Sequence, residues 1–141
     1  MTASKAVFID TSGWIALLNA DEGPHAEAIA LFQEFAKKRR RLVTTDWIFA
    51  ETGNGLARTA ARGKLAQTIQ TFLQSKNCRL VRVDKPLFLR ALAMYDQFAD
   101  KTWGLVDCAS FVAMREHGIE EAVTRDRHFT QAGFRALLPT Q

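Results

Sequence analysis

The chain has 141 residues, of which 48% are hydrophobic and 24% are charged, a composition typical of a globular protein and not of a disordered segment. At this length we expect a single domain, residues 1–141, whose core buries roughly two-thirds of the surface of the unfolded chain. The sequence has no run of about 18 apolar residues, which excludes a membrane-spanning helix, and its formal net charge of +4 permits a polyanionic partner without establishing one.

Two features predict a cytoplasmic protein. Asp10 interrupts the early apolar stretch before the hydrophobic region of a signal peptide could form, so we expect no secretory signal. Cys78 and Cys108, the two cysteines of the chain, both lie in apolar segments. There we expect buried free thiols in a reducing compartment and not a disulfide.

Short apolar runs alternate with longer amphipathic segments, a pattern typical of strands alternating with helices. We predict strands over residues 6–9, 42–45, 78–83 and 121–124, with an edge strand over 134–138. We predict helices over residues 14–18, 25–38, 64–74, 86–98 and 105–117, a further helix capped by Asp46, and a turn over 126–129. Thr11 or Ser12 is the expected cap of the first helix. The alternation predicts an α/β sandwich around a parallel sheet.

Four carboxylates stand where such a fold forms its binding crevice, near the carboxyl ends of strands. Asp10 and Asp126 follow predicted strands, Asp107 lies in the first turn of a helix that is apolar almost all round, and Glu51 lies on the apolar face of its helix, which predicts that it points inward. Each acid also has a plainer interpretation. Asp107 can complement the dipole of its helix, Asp126 can form a turn, and Glu51 can be a solvated side chain.

The four acids together indicate a cation site. Two carboxylates about 4 Å apart repel by roughly 4 kcal/mol at an effective dielectric constant of about 20, so a cluster of them must raise a pKa or bind a cation. Oxygen ligands without an accompanying cysteine or histidine set favour Mg²⁺ or Mn²⁺ over zinc. One or two such ions could activate water and stabilise the charge that develops on a phosphate.

The residues around these acids resemble the motifs of the PIN domain family, and within it the small stand-alone ribonucleases of the VapC toxin type. The resemblance covers nearly the whole chain. Its matching segments are, in chain order, Asp10-Thr11-Ser12 after an apolar strand, Glu51 in the third helix, Asp107 within residues 105–112, and residues 122–129 with Thr124 and Asp126 in the polar positions. Two features depart from the family pattern without touching an acid. Gly104 stands where similar chains often carry a serine cap, and Gly53 and Gly55 interrupt the third helix, where they indicate a kink or a close helix approach.

The resemblance implies a three-layer α/β/α fold with a central parallel sheet, and metal-dependent hydrolysis of RNA. It implies that Asp10 and Asp107 are metal ligands for Mg²⁺, with Mn²⁺ as an alternative. Glu51 and Asp126 would complete the acidic pocket, where they would bind a second ion or position water.

The resemblance also implies supporting residues and partners. Ser12 and Thr124 would hydrogen-bond the carboxylates or the waters of the ion. The chain would be the toxin component of a type II toxin–antitoxin pair, so the expected partners are an RNA substrate, a small antitoxin protein and a second copy of the chain in a homodimer. No membrane partner is expected.

The basic residues divide into two groups. The run over residues 37–41 complements the dipole of the helix that it ends and keeps the surface soluble. Arg58, Arg62 and Lys64 follow the helix of Glu51, where RNA phosphate contacts are plausible. For His128 we predict a surface or packing role, because metal-assisted hydrolysis needs no histidine base.

The three tryptophans of the chain are predicted to lie in the core and not to stack on bases. They are Trp14, Trp47 and Trp103. In an alternative interpretation, Trp47 and the helix that follows Asp21 form the face of a homodimer, which the family resemblance favours.

Two other functions are compatible with an acidic α/β pocket. A non-catalytic PIN module could bind RNA or a partner and hold metal without turnover, although it would have no evident reason to keep four mutually repelling acids. A receiver-like phosphotransfer domain would use an aspartyl nucleophile. That alternative is weakened because no lysine follows the late strand at Val123-Thr124.

Overall fold

The computed structural model of the chain describes residues 5–140, and over that range strands and helices alternate as the sequence predicts. The strands are β1 (Val7–Ile9), β2 (Leu42–Thr45), β3 (Cys78–Val81), β4 (Glu121–Val123) and β5 (Arg135–Ala136). The helices are α1 (Thr11–Leu18), α2 (His25–Lys38), α3 (Asp46–Leu56), α4 (Arg62–Gln74), α5 (Lys85–Gln97), α6 (Leu105–Glu116) and α7 (Arg127–Gln131).

The described strands form one parallel sheet in the order β3-β2-β1-β4-β5, with β1 at its centre. Phe8 of β1 pairs with Val43 of β2 on one side and with Ala122 of β4 on the other. Val7, Phe8 and Ile9 are all fully buried. Because successive side chains of a strand point to opposite faces, both faces of the sheet must be covered. The predicted three-layer α/β/α arrangement is confirmed.

Aromatic side chains pack in two groups. The first comprises Trp14, Phe32, Phe35, Phe49 and Phe72, and the second Phe8, Phe98, Trp103, Phe111, Phe129 and Phe134. Trp14 and Trp103 are only 2% and 6% exposed, which confirms their predicted core positions. Trp47 is partly buried and packs edge-on against Phe88 of α5, with ring centroids 5.7 Å apart.

The prediction that Asp46 caps the third helix is wrong. The Thr45 hydroxyl accepts a hydrogen bond from the Ile48 N–H at 3.1 Å and is the side-chain cap of α3. Asp46 is instead the first residue of α3. Its carboxylate accepts hydrogen bonds from the N–H groups of Trp47 and Val83 at 3.0 and 2.9 Å. Asp46 therefore ties the segment after β3 to the start of α3.

Two other boundaries differ from prediction near the first and last motifs. α1 begins at Thr11, earlier than expected, so neither Thr11 nor Ser12 precedes the helix as its cap. The predicted turn over residues 126–129 is the start of α7, because the carboxylate of Asp126 accepts the N–H of His128 at 2.9 Å and caps a short helix there.

The glycines of α3 allow close helix packing. α3 continues unbroken through Gly53 and Gly55. A Cβ atom at Gly55 would lie 3.3 Å from Cδ1 of Ile15 in α1, tighter than an ordinary contact. Of the two alternatives for these glycines, the structure supports the close approach of helices.

Within residues 5–140, none of the helices combines the length and the apolar character that crossing a bilayer requires. Cys78 and Cys108 are both free thiols, as predicted; Cys108 is buried and Cys78 is partly exposed.

Candidate active site

The start of α1 lies directly on the end of β4 because Gly13 has no side chain. A Cβ atom at this position would be 2.2 Å from the carbonyl oxygen of Val123, a distance that no packing tolerates. The close approach places the Ser12 hydroxyl 3.3 Å from the Thr124 hydroxyl, and Ser12 Oγ accepts the N–H of Arg125 at 2.8 Å. The segments after β1 and β4 are thus joined by polar contacts.

Asp10 follows β1 and is only 6% exposed. Its Oδ2 accepts hydrogen bonds from the hydroxyls of Thr124 at 2.8 Å and Ser12 at 3.2 Å. Burial raises the pKa of Asp10 from 3.8 to about 7 although the Thr124 hydrogen bond opposes the change, and the charges of Asp107 and Asp126 raise it further. The ionised form of Asp10 is therefore destabilised unless a cation compensates it.

Two further acids approach from α6 and α7. Asp107 lies in the first turn of α6, where its Oδ2 accepts the N–H of Gly104 at 3.0 Å. Burial raises the pKa of Asp107 against this hydrogen bond, and the charge of Asp126 raises it further. A ligand atom from each of Asp107, Asp126 and His128 lies within 4.8 Å of the other two. This spacing would let one ion contact all three side chains.

Glu51 reaches the same cleft from α3. The Thr11 hydroxyl donates a hydrogen bond to its Oε1. The Glu51 side chain is exposed and not inward-pointing, so the prediction about its burial is wrong, yet it still lines the cleft. The cleft has a volume of about 660 Å³ and is lined by Asp10, Thr11, Ser12, Ile15, Glu51, Asp107, Arg125, Asp126, Arg127 and His128.

The four acids therefore line one cleft at the carboxyl-terminal side of β1 and β4. A sequence model of the PIN domain matches residues 7–135, a range that includes all four. The chain belongs to the PIN domain family. The match covers the five strands from β1 to the first residue of β5, so the family assignment and the observed parallel sheet agree.

This PIN domain is similar to the 23S rRNA-specific endonuclease VapC20 of Mycobacterium tuberculosis. The two sequences are 30% identical over 133 residues, which cover 94% of this chain and 98% of VapC20, in both strain CDC 1551 and strain H37Rv. The crystal structure of VapC20, described as a sarcin–ricin loop cleaving toxin, superposes with a TM-score of 0.82 at 29% identity, covering 95% of this chain and 100% of that one.

More distant solved structures share the fold. FitAcB from Neisseria gonorrhoeae has a TM-score of 0.63 at 17% identity, covering 92% of this chain and 94% of its own. VapBC2 from Rickettsia felis, bound to a DNA fragment from its promoter, has a TM-score of 0.65 at 11% identity, covering 93% and 96%. At these identities the similarity shows the fold alone.

The supporting and basic residues predicted for this PIN domain have different positions. Ser12 and Thr124 both hydrogen-bond the carboxylate of Asp10; Ser12 lines the acidic cleft and Thr124 is fully buried. Arg58, Arg62 and Lys64 are exposed and are not among the described residues that line the cleft. Lys64 instead borders a second cavity of about 510 Å³ between α1, α2 and α4.

His128, for which a surface or packing role was predicted, lines the acidic cleft. Its ring enters the acidic cleft, with Nδ1 3.1 Å from Oδ1 of Asp126 and 3.5 Å from Oδ2 of Asp107. The cap that Asp126 forms on α7, where a turn was predicted, brings the backbone of His128 close to this acid.

Three other polar residues of the cleft were not predicted. Thr11 holds Glu51, and Arg125 and Arg127 contribute cationic side chains to the wall. All three are sequence neighbours of Asp10 or Asp126. A signal was therefore available, since residues adjacent to a ligand in a strand-to-helix turn commonly share its cleft.

Proposed function

We propose that this PIN domain is a metal-dependent endoribonuclease that hydrolyses phosphodiester bonds in RNA. The observation that carries the proposal is the convergence of Asp10, Glu51, Asp107 and Asp126 on one cleft. Packing does not account for this cluster, because burial raises the pKa of both Asp10 and Asp107 and so makes their ionised forms costly for folding. A catalytic cation site does account for it.

The donor set of the cleft fits a divalent cation. Carboxylate oxygens that are held close together are typical ligands of Mg²⁺ and Mn²⁺. We propose that Asp10 and Asp107 bind the ion and that Glu51 and Asp126 bind a second ion or position water. When bound, such an ion polarises the scissile phosphate and lowers the pKa of the attacking water.

The chain orients these carboxylates before any ligand binds. Hydroxyls of Thr124 and Ser12 fix Asp10, and the N–H of Gly104 fixes Asp107. Groups that are already oriented need little rearrangement in the transition state, which lowers the barrier.

Cationic side chains beside the acids offer contacts for the RNA backbone. Arg125 and Arg127 flank Asp126 and line the cleft. Arg125 Nη1 also lies 3.3 Å from Oε2 of Glu22, which holds the guanidinium in place. We propose that these two arginines contact RNA phosphates beside the scissile bond, and that Arg58, Arg62 and Lys64 contact phosphates farther along the strand.

The similarity to VapC20 supports a toxin role and suggests the first substrate to test. VapC20 is named as a 23S rRNA-specific endonuclease and its structure as that of a toxin. We propose that the present chain is likewise the toxin of a toxin–antitoxin pair, with a small antitoxin protein as its partner. A small reading frame beside the gene whose product co-purifies with the chain and inhibits it would support this role.

We also propose that the protein forms a homodimer. Trp47 and Phe88 pack together at the surface, and exposed Leu89 and Leu92 lie on the same helix as Phe88. Light scattering of the purified chain measures the mass directly. We expect the mass of two chains, and a monomer mass for Leu89→Lys.

A metal titration with a cleavage assay separates the enzyme from the non-catalytic binding module. Protein stripped of metal by a chelator is incubated with ribosomal RNA that contains the sarcin–ricin loop while Mg²⁺ or Mn²⁺ is added. We expect no cleavage without metal and saturable cleavage with it. Metal binding and RNA binding without cleavage would favour the non-catalytic alternative. A matched Glu120→Gln variant, which alters an exposed acid at the opposite end of β4, should cleave normally.

A further inference from the structure

The ring of His128 has polar neighbours beside both of its nitrogens. Nε2 lies 2.8 Å from the hydroxyl oxygen of Thr102. Nδ1 lies 3.1 Å from Oδ1 of Asp126 and 3.5 Å from Oδ2 of Asp107. The backbone N–H of His128 also donates to Oδ1 of Asp126, which keeps the two residues close together.

The Nδ1 atom of His128 faces the two acids. Nδ1 is buried and has no hydrogen-bond partner with acceptable geometry among the described residues, although two carboxylates are close to it. This ring nitrogen is therefore placed to contact a cation held between the two carboxylates.

These distances match those between ligands of one ion. Two ligands about 2.1 Å from an octahedral ion and on adjacent corners are about 3.0 Å apart. The separations of Nδ1 from the two carboxylates, 3.1 and 3.5 Å, are close to that value. Metal-binding histidines also commonly donate their second ring N–H to a fixed partner, a position that Thr102 occupies here.

We propose that His128 is a nitrogen ligand, through Nδ1, of the divalent cation held by Asp107 and Asp126, with Thr102 as the residue that positions the ring. The inference rests on the proposed function, because it concerns the same cation site. It has a consequence for metal choice. An imidazole nitrogen strengthens binding of Mn²⁺ and later transition metals more than binding of Mg²⁺, which prefers oxygen.

The opposing possibility is that His128 acts as a positive counter-ion for the two acids. The two roles predict opposite effects of removing the ring. If the imidazole is a ligand, its removal weakens metal binding. If it is a positive counter-ion, its removal leaves the site more negative and strengthens metal binding.

The test uses Mn²⁺ as the probe and its electron spin echo modulation as the readout. Full-length protein, free of other metals, is loaded with Mn²⁺ in two forms, one with natural histidine and one with ¹⁵N-histidine. We expect nitrogen modulation from directly bound imidazole that changes with the isotope. The signal should persist in His117→Gln, whose parent residue is exposed, and disappear in His128→Gln.

Calorimetric titration of Mn²⁺ and Mg²⁺ gives a second readout. We expect His128→Gln to weaken Mn²⁺ binding by roughly tenfold or more, and Mg²⁺ binding by less. Thr102→Val, which keeps the ring, should keep the nitrogen signal and weaken Mn²⁺ binding by a smaller factor.

Each outcome of these measurements decides the inference. If the wild-type protein binds Mn²⁺ without nitrogen modulation, His128 is not a ligand, whether or not the variants fold. The proposed function still stands in that case if Asp107→Asn abolishes Mn²⁺ binding. Tighter Mn²⁺ binding in His128→Gln assigns the counter-ion role and also overturns the inference. Failure of the wild-type protein to bind Mn²⁺ overturns both the inference and the proposed cation site.

Discussion

The buried position of Asp10 and its proposed role in cation binding favour different protonation states of its carboxyl group. Asp10 stands at the end of the fully buried strand β1, where the fold excludes water, and its carboxylate must be ionised to bind a cation. The hydroxyls of Thr124 and Ser12 favour the ionised form, but burial has the larger effect and raises the pKa of Asp10 to about 7. Below about pH 7 the metal-free site therefore holds a proton that a divalent cation would displace.

The raised pKa of Asp10 predicts that the metal-free protein loses stability as pH rises. Between pH 4 and 7 the folded state binds this proton and the unfolded state does not, so the slope of the free energy of unfolding with pH is negative for this group. The full effect is at most roughly 4 kcal/mol. Asp107 contributes in the same direction. Chemical denaturation across this range, in the presence of a chelator, measures the change.

Asp10→Asn provides the control for this effect. The variant should show a smaller decline than the wild-type protein, and Mg²⁺ should stabilise the wild-type protein more at pH 8 than at pH 5. Parallel pH profiles for the two proteins would show that the Asp10 carboxyl is not held in its protonated form by the fold.

At the residue scale the sequence predicts which acids meet but not how other side chains join them. Asp10, Glu51, Asp107 and Asp126 each have a structural interpretation when taken singly, and they are recognisable as a set because they match the acid positions of the PIN family motifs in chain order. The position of His128 depends on the capping of a five-residue helix and on a loop threonine 26 positions earlier. Neither of these has a periodic pattern that the sequence could reveal.

Elements are held in register around the site by close backbone contacts. Gly13 allows α1 to lie on β4, and this contact brings the Ser12 hydroxyl to Thr124 and to the N–H of Arg125. Gly53 in α3 has a different environment, since a Cβ atom there would meet only Cδ2 of Leu65 at 3.8 Å. The two glycines are therefore a matched pair of helical positions at which the effect of an added methyl group can be compared.

We expect opposite effects of alanine at the two glycines. Gly13→Ala places a methyl group against the Val123 carbonyl and should lower the free energy of unfolding by about 2 kcal/mol or more. Gly53→Ala meets only an ordinary contact and should raise it by about 0.5–1 kcal/mol through its helix preference. Equilibrium denaturation measures both changes. A neutral Gly13→Ala would mean that α1 does not approach β4 this closely.

Ser110 gives a second prediction for an element, the buried helix α6. Its side chain is fully buried, and its hydroxyl has no hydrogen-bond partner within the described part of the chain. An unsatisfied buried hydroxyl costs about 1 kcal/mol or more, so Ser110→Ala should raise the free energy of unfolding by roughly that amount. A loss of stability on this substitution would indicate that the hydroxyl has a partner.

The order and type of the main elements were predictable, and their ends were less so. The alternation of apolar runs predicts the strands and the long helices because both faces of the sheet are buried. The starts of two helices depend on local hydrogen bonds from side chains to the backbone. Thr45 and not Asp46 caps α3, and Asp126 caps α7 where a turn was predicted. Asp and Thr can each cap or form a turn, so sequence does not distinguish these outcomes.

The distribution of charge over the whole molecule bears on how RNA would bind. Basic residues occur both at the acidic cleft and away from it. Arg40, in the basic run after α2, pairs with Glu121 at 2.8 Å and is mostly buried, so it belongs to the structure of the amino-terminal edge of the sheet. Arg40 is therefore not available to contact RNA, although it belongs to the basic run.

Salt dependence of RNA binding tests which cations contact phosphates. In an Asp107→Asn background, which prevents cleavage, Arg127→Ala should reduce the slope of log affinity against log salt by about 0.7, the value for one phosphate contact with a single strand. Neutralising Arg58, Arg62 and Lys64 together should reduce it by up to roughly 2. An unchanged slope in the triple variant would assign those three residues to the solvent face.

The central claim is that the acidic cleft is the catalytic centre of a metal-dependent ribonuclease. The most direct measurement compares RNA cleavage in Mg²⁺ by the wild-type protein and by Asp107→Asn under single-turnover conditions, after circular dichroism has established that both are folded. We expect the variant to be slower by at least roughly a hundredfold, because a ligand of the ion is lost. Cleavage at the wild-type rate by folded Asp107→Asn would contradict the account.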